Sequence, residues 1–527
     1  MSNRSRWLPI ALSSLLLGGS PAGAAEHLDV RLDGLTLPLD LRQLEAWSRS
    51  PDSRQGDLGV WMEVLDARSR QDLARLLRAP LLRDRTFGQQ LLQSWAGRQV
   101  AAEVGELISA EGDGGGDVLL SSLRELLGRQ AEVNVLDLLR AVPVNRLTLQ
   151  LDGLIVLAAE WRQQLRDQGR AMERLRQLPL PAAPALAEAP LEPAGVPRPQ
   201  GQGRQAVAPR QPERLLLPVA HRAVPLPLEL WRAQSTRHRS WVVLMPGLGG
   251  SAEQMGWLGA ELAARGWSVL ALEHPGSDQK AVKELLDGRR PLPGAETLPD
   301  RLADLEAVLS AERSGRLPRL GDSVVLMGHS LGGLSALLAA GLRPEPGLGR
   351  RCRRALNSIP LINLSRLLQC QLNQVSLPPA RSTVPVAGVV AFNSFGSLLW
   401  PHHGLERLPV PLLLLGGSLD LVTPPVSEQL DQFLPGNHPL SRLVLVDGAS
   451  HFSPVRLPSA DQALFKIGDA FVGVEPRQAQ ALMLQLTGDF LAGLELGQPL
   501  PAQKLQRESV TAYVLDAGAA QRWRQGL

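Results

Sequence analysis

Apolar residues recur along the chain in two rhythms, and the change from one to the other divides it. Leu28, Val30 and Leu32 alternate with polar residues, Asp33-Gly34 marks a tight turn, and Leu35, Leu37 and Leu39 alternate again, which predicts a β-hairpin. From Leu41 to about Leu139 the spacing is helical, as at Leu73, Leu76 and Leu77 or Leu123, Leu126 and Leu127, with breaks at Pro51, Pro80 and the glycines Gly112 to Gly116. Arg146 to Leu151 predicts a short strand, and Gly153 to about Leu178 a long helix with a charged second half. Residues 26–178 are therefore expected to form a mostly helical domain with a hairpin. Asp113 and Asp117 flank the glycines without the ligand spacing of a calcium loop, so a connection is expected there.

Residues 179–213 are rich in Pro, Ala and Gln and lack apolar periodicity, which predicts a linker. Beyond it, strand and helix patterns alternate across residues 214–498. Leu215 to Val219 and Leu226 to Trp231 predict an entering antiparallel pair, and Trp241 to Leu244 a buried strand. Helix Ala252 to Arg265, strand Ser268 to Leu272 and helix Leu298 to Leu309 follow, then a strand over Val324 to Met327 and a helix beyond it. Further strands are expected near Val386 to Phe392, Val410 to Leu415 and Leu443 to Val446, and a helix near Pro476 to Leu494. This alternation predicts an α/β domain with a mainly parallel sheet covered by helices on both faces. Residues 499–527 are expected to be a tail.

Composition narrows the picture. The 527 residues suggest two domains, and a hydrophobic content of 44% suffices for real cores. The formal net charge is only +3, aromatics make up 4%, and no basic run is interleaved with aromatics, which argues against nucleic acid as a partner. At the start, Arg4 and Arg6 precede an apolar stretch from Trp7 to Leu17, and Ser20-Pro21-Ala22-Gly23-Ala24 offers a small-residue cleavage site. Residues 1–25 thus predict an export signal, and an uncleaved membrane anchor is the alternative. The remaining chain is expected to be soluble outside the cytoplasm, in a periplasm, thylakoid lumen or extracellular space.

The chemistry gathers around Gly328-His329-Ser330-Leu331-Gly332. An apolar strand, a glycine-flanked serine and then Leu334, Leu337 and Leu338 at helical spacing predict a strained strand-to-helix turn that presents one hydroxyl. A serine hydroxyl near neutral pH needs a base and a carboxylate to orient that base. One later strand ends in Gly416-Gly417-Ser418-Leu419-Asp420, and the next in Asp447-Gly448-Ala449-Ser450-His451. The order Ser330, Asp420, His451 is that of a triad built on successive strand ends of one sheet. Asp420 has a competing reading as a helix cap before Thr423-Pro424-Pro425, and Asp447 is a rival acid expected instead to shape its loop. His329 is expected to pack beside the serine, and His402 and His403 lie in a connection with no evident partner. Acyl transfer also needs donors aimed at a developing oxyanion, and the amides of Leu331 and Leu248 fit that role, the latter in Pro246-Gly247-Leu248-Gly249-Gly250. That loop matches no nucleotide-binding spacing. No metal or organic cofactor is implied.

With Glu273-His274-Pro275-Gly276-Ser277, these motifs make the region from about Leu215 to Leu496 resemble the alpha/beta-hydrolase family, in particular the branch containing platelet-activating-factor acetylhydrolases and dienelactone-hydrolase-like esterases. The resemblance implies Ser330 as nucleophile, His451 as base, Asp420 as acid, and Leu248 and Leu331 as oxyanion donors. It departs at one place: acetylhydrolases of this type carry the acid after the preceding strand, where this chain has Asn393. Residues from about Glu26 to Leu178, with the hairpin and Val135-Leu136-Asp137-Leu138-Leu139, resemble a domain of unknown function that precedes secreted bacterial alpha/beta-hydrolases, chiefly of photosynthetic species.

The stretch 344–385 is too long for an ordinary connection and holds the only cysteines, Cys352 and Cys370. In an exported protein they are expected to pair. Apolar positions between them, from Leu356 to Leu368, suggest a stapled cap over the catalytic edge, the alternative being an extra helix on the outside. The whole pattern predicts a serine hydrolase acting on small-molecule or lipid esters, lipase-like in its apolar preference and suited to lipid degradation. Thioesterase, polyester hydrolase, lactone hydrolase and peptidase share such a site. A non-catalytic scaffold whose helical domain docks a partner or makes peripheral membrane contact is the alternative from another class.

Overall fold

The structure is a computed structural model that describes residues 25–53, 56–82, 85–110, 115–130, 132–183, 211–233, 238–357, 363–379, 382–436, 438–456 and 473–527. The expected export signal, apart from Ala25, and the middle of the expected linker lie outside the described residues.

Residues through Arg85 together with Val104–Leu154 form one compact unit. The hairpin is present: strands His27–Leu32 and Leu35–Asp40 pair antiparallel, and Asp33 and Gly34 have φ of 48° and 78°. Two successive left-handed residues make the turn that matches the natural twist of paired strands. Arg146–Gln150 is the expected strand, pairing parallel to the first, and Ile108–Ala110 joins its far side, so the hairpin is half of a four-stranded sheet. Helices Leu41–Arg49, Ala67–Arg78 and Val135–Ala141 are capped by Asp40, Asp66 and Asn134, the last in a capping box with Asp137.

Thr86–Glu103 and Ile155–Leu527 form the second unit. Its sheet has ten strands, labelled here in chain order: β1 Glu213–Leu217, β2 Leu226–Trp231, β3 Ser240–Met245, β4 Val269–Leu272, β5 Ser323–His329, β6 Val386–Phe392, β7 Leu412–Gly417, β8 Arg442–Val446, β9 Gln503–Arg507 and β10 Val510–Leu515. Their order in space is β9-β10-β8-β7-β6-β5-β3-β4-β2-β1. The strands from β3 to β8 are mutually parallel, and an antiparallel pair closes each edge. Alternate residues feed separate cores: Val243, Leu326 and Leu414 pack on one face, Val242, Met327 and Leu415 on the other. Strands buried on both faces are continuously apolar, which is why β3 to β8 stand out in the sequence. The α/β class expected from the alternation is the class observed.

Two boundaries differ from expectation. The residues 499–527, read as a tail, supply β9, β10 and the helix Ala517–Gln525, whose Trp523 is fully buried. The long helix Leu151–Arg176 is not confined to the N-terminal domain: Ala171, Met172 and Leu175 join the core of the second unit, and Trp523 Nε1 donates to the Ala171 carbonyl at 2.8 Å. Thr86–Glu103 follows the same logic, since Trp95 packs on that core and Gln90 Nε2 donates to the Gly288 carbonyl at 2.8 Å. At the start of the expected linker, Ala182 bridges in parallel to Lys504 of β9.

Candidate active site

In the sheet β3 leads to β4 on one side, while β5 lies on its other side. Connections leaving in opposite directions open a crevice at the carboxyl ends of β3 and β5. The loop Pro246–Gly250 and Ser330 both lie there.

Ser330 follows β5 with φ 52° and ψ −117°, a backbone region that favours glycine. The turn is enforced by close packing. A Cβ on Gly328 would lie 2.3 Å from the Gly332 carbonyl, and one on Gly332 would lie 2.2 Å from the Met245 carbonyl oxygen. Helix Leu331–Ala339 begins at the next residue. The serine backbone N–H donates to the Phe392 carbonyl of β6 at 2.8 Å, which ties the turn to the neighbouring strand.

His451 Nε2 lies 3.1 Å from Ser330 Oγ, and its Nδ1 lies 2.9 Å from Asp420 Oδ2. With Nδ1–H given to the carboxylate, Nε2 carries the lone pair that faces the serine hydroxyl. Asp420 is fully buried. Its Oδ1 accepts from the amides of Val422 and Thr423 at 2.8 and 2.7 Å, the cap-like contacts that formed the rival reading. Its Oδ2 accepts from His451, from Asn393 Nδ2 at 2.6 Å and from Thr423 Oγ1 at 2.5 Å. Oδ1 thus closes a local turn while Oδ2 faces His451, and the expected alternative of a helix cap is not realised, because the helix Pro425–Leu430 has Pro424 at its cap position. Burial pushes the Asp420 carboxyl up, but the charge of His451 and the hydrogen bonds from His451 and Thr423 outweigh it and hold the group below its ordinary range.

His329 Nε2 donates to the His451 carbonyl at 2.8 Å, and the two rings lie 4.9 Å apart. Burial, reinforced by the neighbouring His451, pushes it down to about 3, so it stays neutral and anchors the His451 backbone. Gly247 backs onto this pair, because a Cβ there would sit 2.9 Å from His329 Nδ1 and 3.4 Å from Ser330 Cβ. The Gly247 carbonyl accepts from Gly250 N at 3.2 Å, which turns the N–H of the same peptide, that of Leu248, in the opposite direction. Leu331 opens the serine helix, where the first amides have no helical acceptor.

Asp447 takes the loop-shaping place expected of it. It accepts from Ser418 Oγ at 2.9 Å and forms a two-pronged pair with Arg176 at 2.8 and 3.0 Å, joining the loops that carry Asp420 and His451. Gln168 Nε2 donates to the Ser418 carbonyl at 2.9 Å. His402 and His403 pair instead with Glu345 and Glu406.

Cys352 and Cys370 form a disulfide between helices Leu348–Ala355 and Ser365–Gln371. The second helix rests on the loop that carries Asp420: Asn363 N donates to the Leu421 carbonyl at 2.8 Å and Ser365 N to the Val422 carbonyl at 3.0 Å. Buried Glu428 holds both sides of this junction, accepting from Asn363 Nδ2, from Gln369 Nε2 at 3.2 Å and from the amides of Gly396 and Ser397 at 2.9 Å. The apolar positions Ile359, Leu361 and Ile362 of the expected cap lie outside the described residues. Thr423, Asn393 as a donor, Gln168, Arg176 and Glu428 escape a sequence reading, because each acts through a partner distant in the chain or through the backbone.

Among the described residues no group of three or more His, Cys, Asp or Glu is arranged to hold a metal ion, and no helix is long and apolar enough to cross a membrane.

Residues 242–465 match the sequence profile of the alpha/beta hydrolase family, and residues 24–150 match the profile described as alpha/beta hydrolase of unknown function. No curated protein sequence gives a match. Among solved structures, the apo form of Thermogutta terrifontis esterase 2 is similar at 18% identity and a TM-score of 0.34, covering 56% of this chain and 99% of its own. A dienelactone hydrolase from Anabaena variabilis is similar at 19% identity and a TM-score of 0.34, covering 54% of this chain and 98% of its own.

Proposed function

The chain belongs to the alpha/beta-hydrolase family, and from that premise we propose that it is an exported serine hydrolase cleaving carboxylic esters with an apolar acyl or alcohol part. The observation that carries this reading is the unbroken relay from Ser330 Oγ to His451 Nε2 at 3.1 Å and from His451 Nδ1 to Asp420 Oδ2 at 2.9 Å.

Ser330 Oγ gives its proton to His451 Nε2 and bonds to the acyl carbon, while the carbonyl π electrons collect on oxygen. That oxyanion faces the amides of Leu248 and Leu331, neither of which donates a hydrogen bond among the described residues. Collapse breaks the carbon–oxygen bond to the alcohol, which takes the proton from His451. Water then gives a proton to Nε2 and bonds to the acyl carbon, and the acid departs as Ser330 Oγ recovers its proton. Asp420, ionised and fully hydrogen-bonded, fixes the ring tautomer and stabilises the imidazolium.

An apolar substrate is supported by Leu364 and Leu419, 43% and 45% exposed on the two segments that meet at the Asn363–Leu421 hydrogen bond. The disulfide supports an oxidising compartment. The test is turnover of ester and thioester series of increasing acyl length by the wild type and by Ser330→Ala. The expected result is ester hydrolysis that strengthens with acyl length and falls by about 10⁴-fold or more in the variant. Turnover equal in both proteins for every substrate would leave the non-catalytic scaffold reading in its place.

A further inference from the structure

Outside the serine relay, a heavily charged buried cluster lies under the loops that follow β3 and β4. Arg301, on the helix Leu298–Arg313, is fully buried. Its Nη2 donates to the Pro246 carbonyl, and its Nη1 donates to Ser277 Oγ at 2.8 Å. Ser277 in turn accepts the Gly249 amide on its carbonyl at 2.7 Å. One guanidinium thus grips the loop Pro246–Gly250 directly and again through the loop His274–Ser277.

The charge is stabilised in place. Asp304, one turn along the same helix face, is fully buried and accepts from His274 Nδ1 at 2.9 Å, His221 Nε2 at 2.8 Å and both prongs of Arg222. Burial pulls the Arg301 guanidinium down to about 9 against the opposing pull of Asp304, so it remains charged at neutral pH. Because Asp304 is already satisfied by Arg222 and the two histidines, Arg301 is not needed to neutralise it. A charge-assisted bond to a backbone carbonyl is about twice as strong as a neutral one, and burying a cation merely to hold an ordinary turn would be a costly arrangement.

The loop it holds is the one whose geometry matters most to the oxyanion. Pro246 C=O is fixed by Arg301, Gly247 C=O by Gly250 N–H, and Gly249 N–H by Ser277 C=O. Those three constraints bracket the Leu248 amide and leave it unspent, beside a Gly247 where an added Cβ would lie 3.4 Å from Ser330 Cβ. We propose that Arg301 is a positioning residue for catalysis, setting through the Pro246 carbonyl and Ser277 the orientation of the Leu248 amide toward the oxyanion of the tetrahedral intermediate. This rests on the serine-esterase reading above. It also makes a distinct claim, because the arginine acts on the transition state and not on substrate binding.

The test compares the purified full chain with Arg301→Met, Arg301→Lys, Ser277→Ala and Ser330→Ala, on a p-nitrophenyl ester and with an alkylboronic acid as tetrahedral-intermediate analogue. Displacing one oxyanion donor is expected to lower kcat of Arg301→Met by about 10- to 100-fold with KM within about threefold, and to weaken boronate binding in proportion. Arg301→Lys, which keeps the charge but not the fork, should recover part of the loss. A structural role alone would lower thermal stability without tying boronate affinity to kcat. If Arg301→Met fails to fold, Ser277→Ala decides: a several-fold drop in kcat with parallel loss of boronate affinity is expected, and unchanged kcat overturns the proposal. A folded Arg301→Met with kcat within threefold of wild type, or with undiminished boronate affinity, overturns it as well. Wild-type turnover no greater than that of Ser330→Ala would overturn the esterase reading and this proposal together; Ser330-dependent turnover with a silent Arg301 would overturn this one alone.

Discussion

The two sides of Ser330 are held by opposite charges. On the acid–base side a buried anion, Asp420, receives five hydrogen bonds, three of them from His451, Asn393 and Thr423 side chains. On the oxyanion side a buried cation, Arg301, donates outward to a backbone carbonyl and a serine hydroxyl. The difference follows from what each side orients. A histidine ring is fixed by accepting its proton, which calls for an anion; a backbone amide is aimed by gripping the neighbouring carbonyls, which calls for a donor. Each side also carries a buried histidine held neutral by its burial, His329 bonded to the His451 carbonyl and His274 to Asp304.

The contrast is broken most severely on the anionic side. Asp420→Asn removes the charge and presents an amide where His451 Nδ1–H needs an acceptor, so kcat should fall by about 10³- to 10⁴-fold; a near-normal rate would move the acid role elsewhere. Gly247→Ala attacks the other side, since its Cβ would lie 2.9 Å from His329 Nδ1 and 3.4 Å from Ser330 Cβ. Its kcat should drop by roughly 100-fold with the secondary structure intact, as circular dichroism would show, and a rate within a few-fold of wild type would mean the loop is not part of the site. Thr423→Val deletes one of three side-chain donors to Asp420 while keeping its shape, and a loss of only about tenfold is expected; a loss matching Asp420→Asn would make the threonine an equal partner in the relay.

Acidification sharpens the comparison further. His329 and His274 are pushed down to about 3 and about 4 from an ordinary 6.5, chiefly by burial. Between pH 6.5 and about 4 the unfolded chain therefore binds more protons than the folded one, and stability falls as pH falls. Each histidine contributes a slope of up to about 1.4 kcal/mol per pH unit. Asp420 and Asp304, whose carboxyls are held low, contribute stability above pH 3.8 that is lost only as pH falls through their lowered values. Denaturant melts of wild type at pH 7 and pH 5 should show this loss, and His329→Asn should show less of it; a wild type equally stable at both values would contradict the neutral, buried histidines.

Much of this architecture was legible in the chain because parallel strands buried on two faces write long apolar runs, and because a strand-to-helix elbow demands glycines at fixed offsets. The candidate relay residues are legible from their places after β5, β7 and β8, and the cysteine pair from its setting. What escaped has a common cause. Strands β9 and β10 form an antiparallel edge whose polar residues, as in Gln503-Lys504-Leu505-Gln506-Arg507, read as a tail. Arg301 and Asp304 sit three apart on a helix, the spacing of an ordinary surface ion pair, and only the approach of loops 55 and 24 residues upstream turns the arginine inward. Gln168 and Arg176 belong to a helix that reads as part of the N-terminal domain, yet they reach loops about 250 and 271 residues away. Side chains whose partners lie far along the chain leave no local pattern.

The central claim is that Ser330 is a nucleophile activated by His451. It is tested most directly by reacting the purified chain with a fluorophosphonate and locating the adduct by peptide mass mapping, in wild type and in His451→Ala. A single adduct on Ser330, formed at least about 10³-fold more slowly in the variant, is the predicted result; an adduct on another residue, or labelling of Ser330 at the same rate without His451, would contradict it.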